Sequence, residues 1–112
     1  MATDKKKLTI EYLVRESTRI EDAKGHKITW PRRDSGADLN PMEALAMIHE
    51  ETDEVQREYR DNNIVRFGAE LASVILRCCH LAGDLGIDLE QHLREELKFN
   101  ETRPFRHGRP TI

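Results

Sequence analysis

Apolar residues at Leu8, Ile10, Leu13, Val14 and Ile20 recur at a loose three-to-four spacing, which predicts a first helix over Leu8 to Ala23. Gly25 breaks it. His26 to Asp38 holds Pro31, Gly36 and mixed charge with no periodicity, and so reads as a long loop, mobile or functional in a domain this small. Trp30 within it is either a plug in the core or a lid that stacks on a base. Order resumes at Asn40-Pro41-Met42-Glu43, with Asn as N-cap, Pro at the first helical position and Glu three residues after the cap. A second helix therefore starts at Pro41 and runs to about Arg60, ahead of the turn Asp61-Asn62-Asn63. Leu45, Ile48, Thr52, Val55 and Tyr59 form its seam, and Glu51 and Glu54 lie beside that seam, at the edge of a helix–helix groove.

The third helix is expected over Ile64 to Leu85, stopped by Gly86 as its C′ residue. Phe67, Leu71, Val74, Ile75, Cys78, Leu81, Ala82 and Leu85 make a wide apolar face, and Ala72, Leu76 and Cys79 carry it around most of the circumference. Such a helix is buried on several sides, by its own domain and by a second subunit. The polar stripe left over is Glu70, Ser73, Arg77 and His80. Arg77 and His80 read there as a buried ion pair or subunit contact, and nothing adjacent in sequence marks His80 as ligand or base. Asp88 to Gln91 opens a fourth helix running to about Asn100. Residues 101–112 read as an extended basic tail with Arg103, Arg106, His107 and Arg109, kept from helix by Pro104 and Pro110.

At 112 residues the chain fits one domain, preceded by a disordered polar start over residues 1–7, and is small enough that oligomerisation would help bury apolar surface. With 35% charged and 5% aromatic residues, it suits helices with one apolar seam and a solvated outside. A net charge of −3 argues against nucleic acid as a general partner. No stretch reaches the roughly 18 apolar residues of a membrane span, nor does the start resemble a secretory leader. Cys78 and Cys79, adjacent and unable to bridge without strain, read as reduced core thiols in a cytoplasmic protein.

The candidate chemistry sits in His49 to Glu58, where Glu50, Glu51, Asp53, Glu54 and Glu58 stand against the single basic Arg57. Glu51 and Glu54 are one turn apart, with Cβ atoms roughly 5–6 Å from each other and a mutual repulsion of about 0.2–0.5 kcal/mol in an isolated helix. A bound cation reverses that sign. Hard carboxylate oxygens at this spacing match Mg²⁺ or Mn²⁺, which take a few protein oxygens and fill the remainder from water and substrate phosphates.

E-E-x-x-E at Glu50, Glu51 and Glu54, followed after fifteen residues by E-x-x-S at Glu70 to Ser73, resembles the MazG-like nucleoside triphosphate pyrophosphohydrolases, whose pattern is E-E-x-x-E and then E-x-x-D. The segment GAELASVILRCCHLAGDLGIDLEQHL and the closing N-E-T-R-P-F-R-H-G are similar to that family's second motif, linker and basic tail, so the likeness covers roughly Asn40 to Gly108. It implies an all-α, four-helix antiparallel bundle, a homodimer or homotetramer, that hydrolyses NTP or dNTP between the α- and β-phosphates in nucleotide-pool housekeeping. The resemblance assigns Glu51, Glu54 and Glu70 to Mg²⁺, with Mn²⁺ as substitute, and Glu50 to orienting or deprotonating water. Lys98, Asn100, Arg103 and Arg106 would hold the phosphates. Ser73 stands where the family carries its fourth metal carboxylate. The alternative is therefore a nucleotide-binding or interaction module with impaired catalysis.

Overall fold

A computed structural model describes residues 7–103 as four helices: α1 (Ile10–Ala23), α2 (Pro41–Arg60), α3 (Ile64–Asp84) and α4 (Leu89–Thr102). The expectations for residues 1–6, for Arg106 and for the rest of the tail from 104 lie outside the described residues. Among the described residues there is no strand, only one isolated backbone pairing of Ile28 with Leu39. Among the described residues no helix is long and apolar enough to cross a membrane.

Helix starts follow the polar signals. Asn40 and Glu43 form the full reciprocal box, with Glu43 N–H donating to Asn40 Oδ1 at 2.8 Å and Asn40 N–H to Glu43 Oε1 at 3.0 Å. Thr9, Asn63 and Asp88 cap α1, α3 and α4 in the simpler way, each side chain accepting one backbone N–H. The ends of α1, α2 and α3 share one device. In each, the residue after the C-cap is left-handed (Gly25 at φ 86°, Asn62 at 55°, Gly86 at 66°). The next N–H then reaches back five residues: His26 to Glu21 O at 3.0 Å, Asn63 to Glu58 O at 2.9 Å, Ile87 to Ala82 O at 2.9 Å.

Helix α3 is the hub, packed against both α1 and α2, whereas α4 meets the other helices chiefly where its start passes the start of α1. The closest approach of α1 to α3 is at Gly83, where a Cβ would fall 1.9 Å from Thr18 Oγ1. Few apolar side chains are fully removed from water: among the described residues Ile28, Ala44, Cys79 and Ala82.

Four expectations need correcting. The inward line of α2 runs through Ala44, Met47, Ile48, Glu51, Glu54, Val55 and Glu58, while Leu45, Thr52 and Tyr59 face solvent, Tyr59 at 76% exposure. The carboxylates are therefore part of the seam, not beside it. Trp30 is 70% exposed and plugs nothing; Ile28 and Thr29 are the buried members of its loop. That loop is also tied at its ends, by Thr29 N–H to Leu39 O at 3.0 Å and Leu39 N–H to Lys27 O at 2.7 Å. Cys79 is buried as expected, but Cys78 is exposed, and α4 extends through Glu101 and Thr102, shortening the tail.

Candidate functional site

Because Glu51 falls on the buried side of α2, its carboxylate enters the α2–α3 seam and meets two residues of α3. Arg77 grips one oxygen, with Nε and a terminal nitrogen 3.1 and 3.0 Å from Oε1. The other oxygen, Oε2, is buried and has no N–H or hydroxyl donor, so the neighbouring Glu70 carboxyl is left to share a proton with Glu51. Leaving a buried acceptor unsatisfied costs about 1–3 kcal/mol, and more when it is charged. Glu70, two turns before Arg77, places its carboxyl against that of Glu51. That contact, then burial, then repulsion from Glu51 and Glu54 push the Glu70 carboxyl above its ordinary range, with Arg66 opposing.

Arginines manage the surrounding charge. Arg66 lies 2.8 Å from Glu70 Oε1 and 3.8 Å from Glu58, and Arg57 lies 2.9 Å from Glu54 Oε1. Glu54 thus stands back from the Glu51–Glu70 pair. Ser73, one turn beyond Glu70, lines a groove of about 350 Å³ together with Glu51, Arg77, Leu13, Ile20 and Leu76. A larger cleft, about 560 Å³ between the starts of α1 and α4, contains none of these groups.

Of the residues read from sequence, the structure gathers Glu51 and Glu70; Glu54 pairs with Arg57 and brings no third ligand atom within 4.8 Å of both. It does not gather the others. Glu50 is exposed on the outer side of α2, and Lys98 and Asn100 are exposed on α4. No hydrogen bond or ion pair among the described residues joins the side chains of Lys98 or Asn100 to the carboxylates. Arg103 rests over the Phe99 ring at 4.4 Å.

A second cluster was missed in the sequence. Among the described residues, only Asp22, His80 and Asp84 bring three candidate ligand atoms within 4.8 Å of one another. The spacing of His80 and Asp84, one turn apart on α3, was a readable sign; Asp22, on α1 and 58 residues from His80, left none. Arg77 was legible as an ion-pair residue, though not its partner Glu51. Neither a family model, nor a curated protein, nor a solved structure matches this chain.

Proposed function

We propose that the chain is a Mg²⁺-dependent nucleoside triphosphate pyrophosphohydrolase, with Glu51 and Glu70 at its centre. The observation that carries this reading is the contact of those two carboxyls across the α2–α3 seam, where a buried Glu51 oxygen has no N–H or hydroxyl donor and meets the carboxyl of Glu70 instead. Two acidic groups in contact call for a proton or a cation between them, and oxygen-only ligands favour Mg²⁺ or Mn²⁺. When bound, such an ion supplies charge neutralisation at phosphate oxygens as the bond between α- and β-phosphate breaks. Arg77 fixes the rotamer of Glu51, and Glu54 completes the acidic set by releasing Arg57. Glu50 faces away from this seam on the outer side of α2, so the water-orienting role expected of it is not carried over. The groove of about 350 Å³ beside Glu51, walled by Leu13, Ile20 and Leu76, falls within the usual range for small-ligand pockets and takes the base.

Lys98, Asn100, Arg103 and Arg106 hold the phosphates in this reading, and they come from a second copy of the chain. Leu71 and Ile75 on α3, and Leu93, Leu97 and Phe99 on α4, are exposed in one copy and would be covered in a homodimer or homotetramer of antiparallel bundles. The protein is placed in the cytoplasm by its nucleotide substrates.

Ser73 favours a second reading, a nucleotide-binding module without turnover, since a hydroxyl replaces a carboxylate beside Glu70. Pyrophosphate release from a panel of NTPs and dNTPs with Mg²⁺ separates the two. Turnover on at least one nucleotide, reduced at least about 100-fold by Glu70→Gln, is expected. Binding without turnover across the panel would establish the module instead.

A further inference from the structure

We propose that Asp22, His80 and Asp84 form a separate cation site, one that takes a transition-metal ion of the Zn²⁺ class and staples the ends of α1 and α3 to the loop at Ile28. His80 Nε2 lies 2.9 Å from Asp84 Oδ2 and 3.2 Å from Asp22 Oδ1. Zinc–nitrogen and zinc–oxygen bonds of about 2.0–2.2 Å, at tetrahedral or octahedral angles, set neighbouring ligand atoms about 2.9–3.5 Å apart. Two of the three edges already stand at those lengths, and the third lies within 4.8 Å.

A single Nε2–H can be aimed at only one of the two carboxylates, and the remaining contact is a carboxyl–carboxyl hydrogen bond between Asp84 and Asp22, in which a proton takes the place open to an ion. Asp84 Oδ2 also accepts the Ile28 N–H at 2.8 Å, so the loop is tied to the same atom. The position is costly for negative charge: the Asp84 side chain is 3% exposed and that of His80 is 8%. Both aspartates also lie in the last turns of their helices, where unpaired carbonyls leave partial negative charge and where neither helix supplies a basic residue. The next basic groups along the chain, Lys24 and His26, are paired with Glu21 at 3.7 and 2.9 Å. Among the described residues no Lys or Arg ion pair reaches Asp22 or Asp84. A divalent ion would take the place of the proton that Asp22 and Asp84 share and cancel both carboxylate charges.

The ligand chemistry selects the ion. One imidazole nitrogen with two carboxylates suits Zn²⁺ and its neighbours in the first transition row, unlike the all-oxygen sets of Mg²⁺ and Ca²⁺. Three protein ligands leave a position for water.

The test is calorimetric titration of the full chain with Zn²⁺ in the presence of excess Mg²⁺, with melting followed in parallel. Wild type is expected to bind one Zn²⁺ per chain and to melt higher with it. His80→Gln and Asp22→Asn should each weaken binding more than about tenfold and remove the melting shift, while Glu70→Gln changes neither. Asp22, the most exposed of the three, allows the Asn substitution to be read even if His80→Gln fails to fold. Zn²⁺ binding of equal strength in wild type and Asp22→Asn, no binding in wild type, or loss on Glu70→Gln alone would overturn the proposal.

Discussion

Two glutamates on α2 show how differently one side chain behaves in two settings. Glu43 has every reason to be ionised: Arg33 donates from Nε at 2.9 Å and pairs through its terminal nitrogen as well, and the Asn40 N–H adds a third donor. The Arg33 guanidinium first, and that N–H second, hold the Glu43 carboxyl below its ordinary value of 4.5. Glu51, two turns on, has Arg77 on one oxygen only, and its other oxygen and its neighbour Glu70 are left to repulsion. The first carboxylate serves the helix. The second is held against another carboxyl, the position that the proposed metal reading uses. For Glu43 the sign of the linkage is that of a depressed acid, whose contribution is present above pH 4.5 and lost as pH falls through its lower folded value. Glu43→Gln should therefore melt below wild type at pH 7, and the gap should close on acidification below pH 4.5, as followed by far-ultraviolet dichroism. Equal melting of the two proteins at pH 7 would remove the capping box and its Arg33 partner from the account.

At the scale of the element, α2 was legible from its first four residues because Asn-Pro-Met-Glu encodes a start through local hydrogen bonds that need no tertiary partner. Gly86 was legible for the same reason, as the left-handed stop of α3. The rest of the α2 seam was not. Apolar residues mark a buried face only when the face is wholly apolar, and here Glu51, Glu54 and Glu58 occupy inward positions that the pattern assigned to Thr52 and Tyr59. The error in the seam and the location of the site have one physical origin, burial of carboxylates between helices. The pairing of Ile28 with Leu39 left no trace in the sequence either, since one bridge has no period. Packing of α1 on α3 rests on the absence of a side chain at Gly83. Gly83→Ala would press against Thr18 Oγ1 and Val14 Cγ1, and is expected to lower stability by about 1–3 kcal/mol in urea unfolding. A neutral or stabilising effect, as helix propensity alone predicts for alanine, would show that α1 and α3 do not approach as described.

For the whole molecule, the thin core and the width of the particle point the same way. The radius of gyration is 16.8 Å, against about 13 Å for a compact domain of about 100 residues. Helix α3, all but encircled by apolar residues, covers two of its sides with α1 and α2 and leaves Leu71, Ile75 and Cys78 outward, one turn apart. In the proposed enzyme a second copy would cover that stripe and bring α4 to the carboxylates. Ile75→Glu is accordingly expected to shift the protein from dimer or tetramer to monomer in sedimentation and to lower turnover with it. A wild-type protein that sediments as a monomer while turning over nucleotide would refute that arrangement. The central claim concerns the seam itself, and the most direct measurement is a Mg²⁺ titration of wild type, Glu70→Gln and Ser73→Asp. The account predicts that binding is lost in the first variant and tightened in the second; three indistinguishable titrations would contradict it.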